Sequence, residues 1–241
     1  MAITKLGVIK TTLIDYPGEV AATLFTPGCN FRCGYCHNPG LVTPPFSGDL
    51  VSITEVKQFL QKRSNVLGGV CITGGEPLMH EDLPDLVRYI HSIGLKVKID
   101  TNGSYPDRLQ RLNADYIAMD LKTAFGSYHK LLPKTGAKQE KQNIPDNIQK
   151  SLHWIKQSGI PHEFRTTLVP GIVSFQEIRE LASYLTKDDK WIITQFSPIH
   201  CLNPEFETVP PYPVKEVESL IRELTEQGLS VRLRSLSILQ Q

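Results

Sequence analysis

Three cysteines fall within eight residues, Cys29-Asn-Phe-Arg-Cys33-Gly-Tyr-Cys36. Thiolates at such close spacing are soft ligands that select zinc, copper or iron–sulfur clusters. A structural zinc asks for four ligands, and the nearest candidate, His37, adjoins Cys36 and cannot easily turn onto the same ion. A cubane cluster has four irons, so three thiolates from one loop leave the fourth iron open to a substrate or cofactor. A disulfide would leave one thiol over. Cys71 and Cys201 stand alone, and an unpaired cysteine commonly behaves as a small buried hydrophobe, so both are expected to be structural.

Four further groups carry polar chemistry. In Thr73-Gly74-Gly75-Glu76-Pro77 the paired glycines let backbone approach a ligand, and Glu76 offers a carboxylate to an ammonium. Asp100-Thr101-Asn102-Gly103, Asp120-Leu121-Lys122, and Arg165 within Glu163-Phe-Arg-Thr-Thr-Leu-Val-Pro-Gly complete the set. Each alone reads as a turn or surface feature. Recurring at the ends of successive strands, they are better explained by one ligand site.

The elements that must position these groups follow from alternation. Strand-like runs at Val20–Phe25, Val70–Thr73, Lys96–Thr101, Tyr116–Asp120, His162–Leu168, Trp191–Phe196 and Ser230–Leu233 are separated by amphipathic helical stretches, the rhythm of βαβ units. Ser52 with Glu55 and Ser174 with Glu177 read as capping boxes. Ile178, Leu181, Ala182 and Leu185 form one apolar stripe, and Ile144, Ile148, Leu152 and Ile155 another. Gly94, Gly159 and Gly228 each end a helix just before a strand. Six βα units and a closing strand give an α/β fold, a partial TIM barrel; an open doubly wound sheet is the alternative. Either architecture places ligands at the carboxyl ends of the strands. One domain over residues 1–241 is expected, with a small hairpin over about 1–17 and the barrel over about 20–235. Pro39–Pro45 and Pro204–Pro213 read as loops. Thr123–Asn143, with Lys130, Lys134, Lys138 and Lys141 and no periodicity, reads as a solvated surface loop, with a lid or docking element as the other reading.

Composition excludes several classes. The 241 residues carry 26 Lys+Arg against 25 Asp+Glu, a net charge of +1, with 40% hydrophobic residues, the profile of a globular protein rather than one that coats nucleic acid. The longest apolar stretch, Val20–Phe25, is far below the roughly 20 residues of a membrane span, and the first residues lack the apolar core of a signal peptide. A cytoplasmic location and no membrane partner are the expectation.

The C-x3-C-x2-C spacing, with Tyr35 before the last cysteine, resembles the radical S-adenosylmethionine (SAM) superfamily. That resemblance implies one 4Fe-4S cluster on Cys29, Cys33 and Cys36, with SAM chelated to the open iron and cleaved by one electron to methionine and a 5′-deoxyadenosyl radical. Cys36-His37-Asn38, DTNG at 100–103, MDLK at 119–122 and Arg165-x4-Pro170-Gly171 look like the activating-enzyme branch, over about Asp15 to Ser197. The wording TPGCNFRCGYCHNPGLV, KVKIDTNGS, DYIAMDLK and FRTTLVPG is similar to the longer type of activating protein for anaerobic ribonucleoside-triphosphate reductase. The resemblance implies that Tyr35 and His37 flank the adenine and that Gly74, Gly75 and Glu76 serve the SAM amine. It further implies Asn102 and Lys122 on the ribose or carboxylate side and Arg165 at the methionyl end. By likeness to pyruvate formate-lyase activating enzyme, Asp100, Thr101 and Asp120 would hold a monovalent cation beside SAM.

The implied reaction takes one hydrogen from a backbone glycine of a partner glycyl-radical enzyme, with flavodoxin or ferredoxin as electron donor. Some activating enzymes carry extra clusters on an insert between the triplet and GGEP; only Cys71 falls there, so one cluster is expected. The runner-up is a small-molecule enzyme resembling 7-carboxy-7-deazaguanine synthase, whose last cysteine is normally followed by Asp-Thr where this chain has His37-Asn38. A non-catalytic iron–sulfur or zinc scaffold would leave GGEP, DTNG and MDLK without purpose.

Overall fold

The computed structural model describes residues 2–134 and 143–234. Nine strands form one sheet: β1 (Lys5–Thr12), β2 (Ala21–Thr26), β3 (Leu50–Ser52), β4 (Gly69–Gly74), β5 (Lys96–Thr101), β6 (Tyr116–Asp120), β7 (His162–Leu168), β8 (Trp191–Gln195) and β9 (Val231–Arg234). Their spatial order is β3-β1-β2-β4-β5-β6-β7-β8-β9. From β2 onward every neighbouring pair is parallel. The crossovers carry α1 (Ile53–Arg63), α2 (Leu83–Ser92), α3 (Pro106–Gln110), α4 (Ile144–Gln157), α5 (Phe175–Ala182) and α6 (Val214–Glu226). Six crossovers and a closing strand, with β3 and β9 as unjoined edges, make a partly open barrel, as the alternation predicts. The last strand ends at Arg234, and residue 235, the expected end of the barrel, lies outside the described residues.

Each strand separates two faces because successive side chains alternate. Val97 and Ile99 of β5, Ile117 and Met119 of β6, and Phe164 and Leu168 of β7 join one core with Val56, Leu60, Val87, Ile90, Ile178 and Leu181 of the helices. Full burial of each such side chain stabilises by roughly 1.5–3 kcal/mol. The intervening Lys98, Asp100, Tyr116, Asp120, Glu163 and Arg165 face the barrel interior. Both capping boxes form, Ser52 with Glu55 and Ser174 with Glu177. Gly94, Gly159 and Gly228 take φ of 80°, 73° and 88°, the left-handed conformation that closes a helix. No helix among the described residues is long and apolar enough to cross a membrane.

Two expectations are corrected. Among the described residues the N-terminal segment makes no hairpin of its own before Pro17; its strand β1 pairs antiparallel with β2 on one side and β3 on the other. And Thr123–Asn143 does not begin as a solvated loop. Phe125–Leu131 is a 3-10 helix that buries Phe125, Tyr128 and Leu131, three residues apart because that helix has three residues per turn. Lys130 is tied to Glu177 of α5 at 3.1 Å. Burial pushes the Glu177 carboxyl up, but hydrogen bonds from Ser127, Ser174 and Lys130 outweigh this and bring it down to about 2. Lys138 and Lys141 lie outside the described residues.

Candidate active site

The cysteine loop leaves β2 through Pro27 and Gly28, and its backbone is braced on three sides. Gly28 N–H donates to Leu41 O at 2.6 Å and Arg32 N–H to Leu131 O at 2.7 Å. The Arg32 guanidinium turns back on its own loop, donating from Nη1 to Cys29 O and Phe31 O at 2.6 and 2.7 Å. The loop after β8 supplies the third side: Leu202 N–H donates to Cys36 O at 2.9 Å and Asn203 N–H to Gly34 O at 2.8 Å. His37 Nε2 donates to Ser197 O at 2.9 Å. Phe206 seals the join, since a Cβ on Gly34 would lie 2.4 Å from its ring.

The paired glycines have a use that spacing alone did not reveal. Gly74 has φ of 108°, and a Cβ on Gly75 would lie 1.9 Å from Gly28 O. Gly75 N–H donates to Thr26 O and Glu76 N–H to Gly28 O, both at 2.8 Å. The two turns are zipped backbone to backbone, so they position each other as well as the cavity wall.

A cavity of about 240 Å³ sits over the carboxyl ends of β2, β4, β5, β6 and β7. Cys29, Cys33, Tyr35, Cys36 and His37 of the loop line it, together with Gly74, Gly75, Asp100, Thr101, Asn102, Asp120 and Lys122. Two expected residues do not reach it. The Glu76 side chain is fully buried, accepting from Leu78 N–H at 3.1 Å, Thr101 Oγ1 at 2.7 Å and Asn102 N–H at 2.7 Å. Burial pushes its carboxyl up to about 7 against the pull of these donors. Arg165 lies beneath the floor, its Nε 2.8 Å from Asp120 Oδ1 and its Nη1 2.9 Å from Asp100 Oδ2. Lys122 Nζ takes Asp120 Oδ2 at 3.1 Å.

Burial opposes both aspartates, yet these cations prevail: Arg165 and Lys98 lower Asp100, and Arg165 and Lys122 bring Asp120 to about 2. Burial likewise lowers Arg165 and Lys122; Asp100 and Asp120 more than reverse it for Arg165, and Asp120 with Cys33 and Tyr35 does so for Lys122, leaving both raised.

Sequence reasoning overlooked three contributors. Asn30 accepts from Asn102 Nδ2 at 2.8 Å and donates to Ser104 Oγ at 2.9 Å, tying the cysteine loop to the DTNG turn. The Tyr128 hydroxyl accepts from Lys122 N–H at 3.1 Å. Lys98 lies 2% exposed inside the barrel; a lysine at mid-strand in a parallel sheet was the available signal.

The match to known proteins decides the family. The family model for the radical SAM superfamily covers residues 23–185. This chain belongs to the radical SAM superfamily. A Methanocaldococcus jannaschii protein provisionally named a glycyl-radical enzyme activating enzyme is 30% identical over 219 residues, 89% of this chain and 88% of that one. The pyruvate formate-lyase-activating enzyme of Clostridium pasteurianum is 26% identical over 224 residues, 88% and 89% of the two chains. Among solved structures, Streptococcus suis SuiB bound to S-adenosylmethionine superposes with a TM-score of 0.62 at 16% identity, over 88% of this chain. This chain spans about half the length of SuiB, 51%, and the likeness is one of fold.

Membership makes this a radical SAM enzyme and implies a 4Fe-4S cluster and SAM. The radical SAM loop fits that cluster in donor chemistry, with three soft sulfurs of one loop facing one cavity. Burial pushes the Cys29 thiol up to about 12 and Cys33 to about 11, so loading the metal must release their protons.

Proposed function

We propose that this radical SAM enzyme is an activating enzyme, which removes one hydrogen atom from a glycine of a partner glycyl-radical enzyme, and that the partner is an anaerobic ribonucleoside-triphosphate reductase. The observation that supports the reading is the convergence of the three thiols with the GGEP, DTNG and MDLK strand ends on one cavity. The partner assignment is supported by the wording of those segments.

Cys29, Cys33 and Cys36 would hold the cluster, and Tyr35 and His37 would flank the adenine. When bound, cluster and SAM supply the electron and the hydrogen-abstracting group. The rest is the chain's work. Gly74 and Gly75 keep the wall thin enough for a ligand to approach backbone. Asn102 and Lys122 present an amide and an ammonium to the ribose and carboxylate. Arg165 acts at one remove, by fixing Asp100 and Asp120. Glu76 likewise serves the amine end by holding Thr101 and Asn102 in place. Phe31, Tyr35 and Val42, each less than a tenth exposed, keep that side of the cavity dry, which strengthens every charge contact inside it. A target glycine has no side chain, so its loop can enter the open mouth. A flavodoxin or ferredoxin would deliver the electron.

The test is anaerobic reconstitution with iron and sulfide, then dithionite and SAM, assaying 5′-deoxyadenosine with and without the reductase. A glycyl-radical doublet on the reductase is expected by EPR. Deoxyadenosine without that doublet would move the target to another glycyl-radical enzyme, pyruvate formate-lyase-like, or to a small molecule. No deoxyadenosine at all would overturn the activity.

A further inference from the structure

Lys98 has no part in the chemistry above, yet it is among the most deeply buried side chains of the protein, 2% exposed in β5. Lysine is almost never buried unless paired, because taking an unpaired ammonium out of water is very costly. Its Nζ pairs with Asp100 Oδ1 and lies 3.7 Å from Cys71 Sγ. Arg165 takes the other Asp100 oxygen and one of Asp120, and Lys122 takes the last. All four oxygens of the two aspartates thus have a fixed protein cation, three positive groups against two negative ones. Thr101 Oγ1 is also engaged, donating to Glu76 Oε1 at 2.7 Å and accepting from Gly103 N–H at 3.1 Å.

This arrangement does not fit the monovalent cation that likeness to pyruvate formate-lyase activating enzyme implies for Asp100, Thr101 and Asp120. Every carboxylate oxygen here already faces a fixed protein cation, so the charge an alkali ion would supply is already present and an added ion would meet three positive groups at close range. We propose that Lys98 replaces that ion: it is a positioning residue whose ammonium fixes the charge and aim of Asp100 on the cavity floor, so that SAM binds without an alkali metal. The proposal rests on the radical SAM reading. Lys98 acts only through Asp100, which lines the cavity where Lys98 does not.

The experiment measures SAM affinity of the reconstituted protein from the change SAM causes in the EPR spectrum of the reduced cluster. Buffers contain K⁺, Na⁺ or tetramethylammonium as the sole monovalent cation, the last being too bulky to sit beside a carboxylate in a packed interior. Wild-type affinity is expected to agree within about twofold in all three. Lys98→Ala opens a void beside Asp100; its affinity should fall about tenfold in tetramethylammonium, the scale of one lost charge-assisted bond, and recover in K⁺ or Na⁺. Lys98→Met fills the same volume with apolar atoms and should stay weak in every buffer. A merely structural role would not give rescue by a small cation. A wild-type loss of about threefold or more without alkali ions overturns the proposal, even if both variants fail to fold. So does Lys98→Ala binding like wild type in tetramethylammonium. A wild-type cluster spectrum that ignores SAM even in K⁺ overturns the cofactor reading itself.

Discussion

Replacing Arg165 with methionine should cost about 3 kcal/mol of folding stability, the low end for breaking a buried ion pair. Its guanidinium bridges Asp100 and Asp120. Asp120 is held at about 2 against an ordinary 3.8 by Arg165 and Lys122 together, which corresponds to about 2–3 kcal/mol at neutral pH. Asp100 is lowered in the same direction. Lys98 and Lys122 remain in the variant, each still paired to one carboxylate, which keeps the loss from rising further. In a chain of this size about 3 kcal/mol lowers Tm by roughly 6–12 °C, readable by circular dichroism on the metal-free protein. The pH dependence supplies the sign. Both carboxyls sit below their unfolded values, so the stability they contribute is present above about pH 4 and is lost as pH falls toward about 2. Urea midpoints at pH 7 and pH 3 should therefore show the gap between wild type and Arg165→Met shrinking to about half. A Tm change under about 2 °C at pH 7, or a gap indifferent to pH, would refute the account of the floor as a charge-locked network.

Other substitutions separate the parts of the site. Cys33→Ala should abolish cluster assembly, judged by iron content and the visible spectrum, whereas Cys71→Ala and Cys201→Ala should retain it; loss of iron in Cys201→Ala would give that residue a role in the site. Glu76→Gln places an amide N–H₂ against the Asn102 N–H and should destabilise by about 1–3 kcal/mol in urea, the cost of one buried unpaired donor; an unchanged midpoint would show that the turn does not depend on that carboxylate. Gly75→Ala forces a Cβ onto Gly28 O, and should lower both stability and reconstituted iron, because it separates the two turns that frame the cysteine loop. A Cβ at Gly34→Ala has the Phe206 ring as its nearest neighbour, at 2.4 Å, so Phe206→Leu should restore iron loading in the double variant; no rescue would mean that the loop after β8 is not the brace.

The parallel strands were legible because they are short β-rich runs alternating with amphipathic stretches, whose helices carry local start and stop signals, such as the Ser52 box and Gly94. What was not legible depends on partners remote in sequence. Nothing within residues 1–17 reveals that β1 pairs with β3, more than forty residues on, at Lys5 opposite Ser52. Phe125, Tyr128 and Leu131 follow a period of three, which neither the helix period of 3.6 nor the strand period of 2 detects. The cysteine triplet was legible because adjacent ligands report on one another locally. The direction of Glu76 was not, because a carboxylate beside a glycine pair can face a ligand or fold back onto Leu78 and Asn102 with equal local logic.

The interior face of the sheet explains where sequence reasoning goes quiet. A parallel strand covered on both sides normally reads as a continuous apolar run, but KVKIDT, YIAMD and HEFRTTL alternate. Lys98, Asp100, Asp120, Glu163 and Arg165 among their inward residues are charged in the very place where desolvation is most costly, so each must be answered by an opposite charge, from its own strand or from a neighbouring element. Arg165 from β7 answers Asp120 from β6 and Asp100 from β5, and Lys190 answers Glu163 at 2.9 Å. The cross-strand pairs are set by sheet register, as in Asp120 opposite Arg165, whereas Lys98–Asp100 and Asp120–Lys122 sit two residues apart along the chain. The same charges that make the interior expensive to bury are fixed before a ligand arrives, which is what a site built for a charged sulfonium cofactor requires.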